Sequence, residues 1–518
     1  MTSAAAGRPP AIELAGIDKR FGEVHANKAV DLTVAAGTIH GIVGENGAGK
    51  STLMSILYGF YEADAGEVRV AGRPVRIRAP REAIAAGIGM VHQHFMLVEP
   101  LTVLDNVMLG AEGGPLLAGG ARRIREELAR LGADYGLVID PDAVVGDLPV
   151  GLQQRVEILK ALVRGAEVLV LDEPTAVLTP DEADALFRLL RILAGEGKTI
   201  ILITHKLREI MAVTDAVSVM RRGEMVATLP TAGTSPAELA ELMVGRRVLL
   251  RVEKDAARPG PVRLAVKNLV VRDAKGTPRV DGVSFDVHGG EIVGIAGIAG
   301  NGQSELLEAL AGMRPLDGGS VALDGAPLPA EELDPYRLRH RGLLHVPEDR
   351  LRMGLVPPFE ACESAILGFQ QDDLYGSGAI MSRAAIVGDT ARKMEDYDVR
   401  PRAPTLKTSK FSGGNQQKLV LAREIERAPH VLLVGQPTRG VDIGAIEFIH
   451  RRLVALRDAG VAIVLVSVEL EEIMGLSDRI LVMCGGRITG ERRPTETDER
   501  DLGLLMAGVT DTGTGAHP

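Results

Sequence analysis

The 518-residue chain has no tryptophan, only nine phenylalanines and only six tyrosines, so any aromatic platform must come from a small supply. Cysteine is nearly absent. Cys362 and Cys484 lack metal-ligand spacing and cannot form a disulfide framework, which points to a reducing compartment. Long apolar runs are missing as well. The longest, such as Val461 to Val468, reach about eight residues, far short of the roughly 20 that a membrane-spanning helix needs. The opening MTSAAAGRPP has neither a positive n-region nor an apolar h-region, so no signal peptide is expected. Basic charge is in deficit: 59 Lys and Arg against 69 Asp and Glu give a net charge of −10, which argues against a general nucleic-acid binder. What remains is a chain of ordinary globular composition, 46% hydrophobic and 25% charged, and too long for one core.

What is present is organised around Gly44 to Thr52, GENGAGKST, which follows the apolar run Ile39 to Val43 and opens onto Leu53, Met54, Ile56 and Leu57. Strand, glycine-rich turn and helix together form the context of a phosphate-binding P-loop. Gly44, Glu45, Asn46, Gly47, Ala48 and Gly49 bring backbone N–H groups towards phosphates, and the helix N-terminus adds its dipole. Lys50 reaches the outer phosphates, and Ser51 offers its hydroxyl to Mg²⁺, with Thr52 beside it. Downstream, VLVLDE (Val168 to Glu173) is an apolar strand ending in two carboxylates. Behind a P-loop, Asp172 is expected to hold Mg²⁺ and Glu173 to polarise an attacking water. Gln93, at the end of its own strand, is placed to touch Mg²⁺ and that water, and His205, after TIILIT, to bond the γ-phosphate. Either residue is equally compatible with an ordinary polar strand end. Phe21 is a candidate adenine platform, with core packing as its alternative.

The pattern then restarts. GEIVGIAGIAGNGQSEL (Gly290 to Leu306) repeats GTIHGIVGENGAGKSTL (Gly37 to Leu53), with 253 residues separating Gly44 from Gly297 and 263 separating Asp172 from Gly435. So small a drift signals tandem duplication. Within each copy, alternating apolar and polar residues early on predict antiparallel strands. Short apolar strands spaced by helical segments predict a parallel sheet covered on both faces.

The P-loop, Gln93, VLVLDEPT and the ITH histidine, in this order and spacing, resemble the nucleotide-binding domain of ABC transporters. The duplicated form, with FSGGNQQK and QPTRGVD in the second half, resembles the fused ATPase subunits of bacterial sugar and nucleoside importers. The resemblance implies an α/β fold with two tandem ABC-type domains, at residues 11–246 and 263–509, joined by a linker at 247–262. Each would carry a mostly parallel sheet core, an antiparallel β subdomain and a helical subdomain. It further implies ATP and Mg²⁺ as ligands, integral-membrane permease subunits as partners and, indirectly, an extracytoplasmic solute-binding protein. The chain would then lie peripherally on the cytoplasmic face of the cell membrane. The halves would pair head to tail, so that Ser412, Gly413 and Gly414 of the second half complete the site of Lys50. HQHFMLV, within Met90 to Leu109, is most like the nucleoside-importing branch, and that apolar stretch is a candidate permease contact. An alternative is the group of tandem ATPases that act on ribosomes. That group has two intact sites and a long charged linker, and neither is found here.

The halves depart from the family pattern in opposite ways. In the second P-loop, Gln303 replaces the lysine and Glu305 stands opposite Thr52; Gly435, Gln436, Val468 and Glu348 occupy the places of Asp172, Glu173, His205 and Gln93. Hydrolysis there is not expected, since Gln436 cannot act as a base. Conversely, the second half keeps Phe411-Ser412-Gly413-Gly414-Asn415, whereas the first has Leu148-Pro149-Val150-Gly151-Leu152. Pro149 brings neither hydroxyl nor N–H. Thr179 also stands where Asp442 falls in the second half. The expectation is one working ATP site per chain.

Overall fold

The computed structural model describes residues 9–92, 96–110, 117–175, 178, 180–247, 253–298, 300–377, 380–441 and 443–509. It divides into two units, residues 1–248 and 249–518.

In the first unit, β1 (Ile12–Phe21) and β2 (Val24–Val34) form a hairpin across Gly22, whose φ of 59° suits the turn. β3 (Ile39–Gly44) leads into the glycine-rich loop, and β4 (Ala65–Val70) and β5 (Arg73–Val75) complete an antiparallel sheet in the order β2-β1-β4-β5. β6 (Ile88–Val91), β7 (Val168–Asp172) and β8 (Thr199–Ile203) run parallel to β3. β9 (Ala216–Arg221) is also parallel to β3, and β10 (Glu224–Pro230) turns back on it, giving the order β10-β9-β3-β8-β7-β6.

The near-continuous apolar reading of β7 and β8 follows from burial on both faces. Val168, Val170, Ile201 and Ile203 pack with the loop helix (Lys50–Tyr58) and the antiparallel sheet. Leu169, Leu171, Ile200 and Leu202 pack on the opposite side, against helices that include Val150–Val163 and Leu117–Tyr135. Alternate residues of one strand thus hold two layers together.

The second unit repeats this element by element. β11 (Val262–Arg272), β12 (Pro278–His288), β14 (Gly318–Leu323) and β15 (Ala326–Leu328) form the sheet β12-β11-β14-β15. β13 (Ile292–Ala296), β16 (Leu343–Val346), β19 (Val431–Gly435), β20 (Ala462–Val466), β21 (Arg479–Cys484) and β22 (Arg487–Arg492) form the sheet β16-β19-β20-β13-β21-β22. A short hairpin of β17 (Gly376–Ser377) and β18 (Ile380–Met381) has no counterpart among the described residues of the first unit. No helix among the described residues is long and apolar enough to cross a membrane.

Candidate nucleotide-binding site

The loop between β3 and the helix Lys50–Tyr58 owes its path to two left-handed glycines, Gly47 at φ 83° and Gly49 at φ 101°. A Cβ at Gly49 would collide with the carbonyl oxygen of Ala26 and approach Asn27 Nδ2 at 2.8 Å, whereas one at Gly47 would meet nothing within 4 Å. Asn27 is fully buried and donates to the Gly49 carbonyl at 3.1 Å, fixing the loop to β2. It escaped sequence analysis because it reads as an ordinary polar strand residue. Gly47→Ala is expected to cost only the left-handed backbone penalty, about 1–2 kcal/mol. Gly49→Ala should add an overpacking cost of about 1–3 kcal/mol. Denaturant unfolding of the two variants would check the ranking.

Asn46, Gly47 and Ser51 face solvent while Lys50 is buried. Its Nζ donates to the carbonyls of Gly44 at 2.7 Å and Glu45 at 3.1 Å. Burial pulls the ammonium below its usual range, against the opposing charges of Glu173, Asp172 and Glu45. Asp172 and Glu173 arrive from the end of β7 and Glu45 from the loop itself, and together they keep a cation in the loop. Asp172 is buried, with the Ser51 hydroxyl beside its carboxylate. Burial and the charge of Glu173 hold its carboxyl above the usual carboxylate range, while Ser51 and Lys50 oppose them.

Glu173 has φ 48°, an uncommon region for a residue with a side chain, and its N–H bonds the Ile203 carbonyl at 2.9 Å. The kink turns its carboxylate to His205, whose Nδ1 lies 2.9 Å from Oε1. Burial pushes the Glu173 carboxyl up, but the His205 hydrogen bond and the charges of His205, Lys50 and Lys206 outweigh it. The net effect is a group below its usual range, ionised at neutral pH. His205 is positioned in turn by the buried Glu209. Thr204 Oγ1 donates to Glu209 at 2.8 Å and accepts from the Lys206 N–H at 3.0 Å, and Thr175 donates to the same carboxylate. Glu209, one acidic residue in a helix turn, carried no sequence signal.

Lys50, Ser51, Asp172, Glu173 and His205 therefore converge at the C-terminal ends of the adjacent interior strands β3, β8 and β7. Gln93 and Thr179 lie outside the described residues, as does Asp442. Phe21 is not in the core: it is 42% exposed at the end of β1, edge-on to Tyr61 with centroids 5.1 Å apart. Among the described residues no cluster of three or more His, Cys, Asp or Glu could cage a metal. One serine hydroxyl and one carboxylate suit a magnesium ion that completes its shell with phosphate and water.

The second unit keeps the frame. Gln436 repeats the kink at φ 45°, and its N–H bonds the Val466 carbonyl at 2.8 Å. Its side-chain oxygen accepts from the Val468 N–H at 3.2 Å, where the first unit has a histidine side chain. Gln303 Nε2 donates to the Ile298 carbonyl at 3.3 Å, and Ser304 Oγ donates to Glu348 Oε2 at 2.6 Å. Burial holds the Glu348 carboxyl above its usual range, with the charges of Glu308 and Glu305 adding to it and Ser304 and Arg439 opposing.

The two signature segments also differ. Ser412 caps the helix Gly413–Ile425, its hydroxyl accepting from Asn415 Nδ2 at 2.8 Å and Asn415 N at 3.5 Å. A Cβ at Gly413 would come within 2.6 Å of the Gly440 carbonyl oxygen, a backbone atom that cannot simply swing away, so glycine is favoured there. Pro149 precedes the helix Val150–Val163 without a side-chain cap.

The stretch Met90 to Leu109 splits in two. Val103, Leu104, Val107 and Met108 are core on a short helix, whereas Met96, Val98 and Leu109 are exposed. A cavity of about 270 Å³ lies beside it, lined by Tyr58, Phe60, Met90, His92, Met96 and Lys160 among others.

A duplicated P-loop sheet with a Lys-Ser-Asp-Glu-His cluster at its strand ends defines an ATP-binding cassette, and residues 27–176 and 280–439 both match the ABC transporter family model. The chain belongs to the ABC transporter family, whose cassettes bind and hydrolyse ATP. It is 46% identical over 497 residues to the nucleoside import ATP-binding protein NupA of Lactococcus lactis, covering 96% of this chain and 98% of that protein. It is 47% identical over 504 residues to the guanosine import ATP-binding protein NupO of Bacillus subtilis, covering 97% and 98%. It is 44% identical over 534 residues to a glucose import ATP-binding protein of Haloferax volcanii, covering 97% of each chain. The ribosome-acting alternative gains no support from these relatives.

Proposed function

We propose that this chain powers nucleoside import through separate membrane permease subunits, using one hydrolytic ATP site. The observation that carries the single site is the contrast between units: Lys50, Ser51, Asp172, Glu173 and His205 converge in the first, while Gln303, Gly435, Gln436 and Val468 replace four of them in the second. Glu173 serves as the base for water, and His205 orients its carboxylate. Lys50 leaves its loop carbonyls to meet the outer phosphates, Phe21 offers a ring face to adenine, and Gln93 completes the water site. Mg²⁺, held by Ser51 and Asp172, would neutralise phosphate charge. Ser412, Gly413 and Gly414 close the site from the other half, in head-to-tail pairing. The capped helix N-terminus they form suits a γ-phosphate, and the Pro149 segment lacks that cap.

The cytoplasmic face of the membrane follows from this role. The largely apolar cavity lined by Tyr58, Phe60, Met90 and the exposed Met96 suits the apolar side chains of a permease helix. A solute-binding protein outside the membrane would deliver substrate to the permease. The nucleoside assignment rests on HQHFMLV and on the two nucleoside and guanosine relatives. In the complex reconstituted with permeases and receptor, nucleosides should raise ATP turnover several-fold above glucose, ribose or galactose. Stimulation by a monosaccharide and not by nucleosides would overturn it.

A further inference from the structure

The second P-loop is more than a decayed copy. In the first unit the loop serine, Ser51, lies beside the carboxylate of Asp172 at the end of β7. In the second, Ser304 bonds a carboxylate that comes from the neighbouring strand: Glu348, two residues beyond β16, at 2.6 Å. Val346 of β16 pairs with Val434 of β19, so Gly435 lies beside the segment that carries Glu348. A Cβ at Gly435 would come within 2.5 Å of Glu348 Cγ and 3.0 Å of Glu348 N. The Glu348 side chain fills the space that the aspartate of the first unit would need. The two substitutions are thus one exchange: the carboxylate moved from β19 to the segment after β16, and the glycine made room for it.

We propose that Glu348, with Ser304, is the divalent-cation partner of the second cassette, which binds Mg²⁺-nucleotide without hydrolysing it. The donor set fits: one hydroxyl and one carboxylate, both oxygen, matched to a hard cation that keeps phosphate and water ligands. Hydrolysis is excluded because Gln436 holds the base position and bonds the Val468 N–H. A second consequence follows from charge. The loop GIAGNGQSE contains no cation, since Gln303 replaces the lysine, and Glu305 adds a negative charge. Here the loop brings no positive charge, so the metal carries more of the task of offsetting the phosphates, with Arg439 near Glu348, whereas Lys50 gives the first loop a positive charge of its own. Nucleotide binding is therefore much more metal-dependent in the second unit than in the first. The inference rests on the ATP-binding reading of the cassettes and not on how the halves pair.

The test uses the full chain and an ATP analogue photoreactive on its adenine, with peptide mapping to separate label in residues 12–58, around the first loop, from label in residues 262–310, around the second, so that contacts made by Ser412 to Gly414 are not counted. With Mg²⁺ both units should be labelled. With EDTA the second unit should lose at least tenfold, while the first keeps a measurable share. Glu348→Gln should reduce second-unit label at least tenfold in Mg²⁺ and leave first-unit label unchanged. Gly435→Asp alone should do the same, because its side chain collides with Glu348. The double variant Glu348→Ala, Gly435→Asp removes Cγ from the space beside residue 435, puts a carboxylate back at the end of β19 as in the first unit, and should restore metal-dependent label. Mn²⁺ titration followed by electron paramagnetic resonance should count two nucleotide-dependent sites in the native chain and one in Glu348→Gln. First-unit label reports whether each variant is folded. Absence of second-unit label in the native chain at saturating Mg²⁺-nucleotide, or label indifferent to Glu348→Gln, would overturn the assignment. Loss of label from both units of the native chain would instead sink the ATP-binding reading.

Discussion

Glu173→Gln should reduce steady-state ATP turnover by about 10²-fold or more, the range expected for a lost general base, while the chain still binds ATP. The substitution removes only the basicity. Lys50, Ser51 and Asp172 keep their places, and glutamine retains the size of the side chain that meets His205 at 2.9 Å. The molecule itself shows that glutamine is tolerated at such a strand end. Gln436 adopts φ 45° where Glu173 has 48°, and both N–H groups bond the neighbouring strand at 2.8 and 2.9 Å. Loss of activity in Glu173→Gln would therefore report chemistry rather than misfolding. Gln436→Ala is the counterpart. It deletes a side chain that accepts one hydrogen bond from Val468 and has no base function to lose, so most turnover should remain. Measuring kcat for both, alongside equilibrium ATP binding, separates the outcomes. Equal loss of kcat would mean that the second unit hydrolyses too.

Much of this was readable in the chain, because the physics behind it is local. The path of the loop follows from Gly47 and Gly49, and the doubly covered sheet follows from uninterrupted apolar strands such as Val168 to Leu171. Duplication made the reading firmer, since each element could be compared with its twin. What escaped is set by neighbours in space. Asn27 braces the loop from β2, and Glu209 braces the Thr204–Lys206 segment from a helix, yet neither spacing nor residue type announces it. The left-handed backbone at Glu173 was equally invisible, because a kink at a strand end depends on its partner strand. Phe21 shows the limit from the other side. A scarce aromatic residue suggested either a stacking platform or core, and only its exposed place beside Tyr61 separates the two. The exchange between Gly435 and Glu348 needed both kinds of information. The sequence recorded two losses, and the distances turned them into one displacement.

Ser412→Arg should stop ATP turnover although every residue of the Lys50 cluster is untouched. Ser412 lies in the second unit and has no reason to affect the first loop unless the halves pair head to tail, as proposed. In that pairing its hydroxyl and the N–H groups of Gly413 and Gly414 meet the γ-phosphate held by Lys50. An arginine there fills the space and prevents closure. Loss of a preorganised donor at an anion site costs about 10²–10³ in rate by itself, before the steric effect is added. The side chain is solvent-exposed, so an arginine need not be buried, and the local penalty is the lost N-cap to Asn415, about 1 kcal/mol. Pro149→Arg is the control: it is exposed, it caps nothing, and its partner would be the Gln303 loop. It should leave most turnover intact once both variants are shown to have comparable melting temperatures. An active Ser412→Arg with an inactive Pro149→Arg would reverse the assignment of the working site. Activity in both would mean that turnover proceeds without a closed sandwich of the two halves.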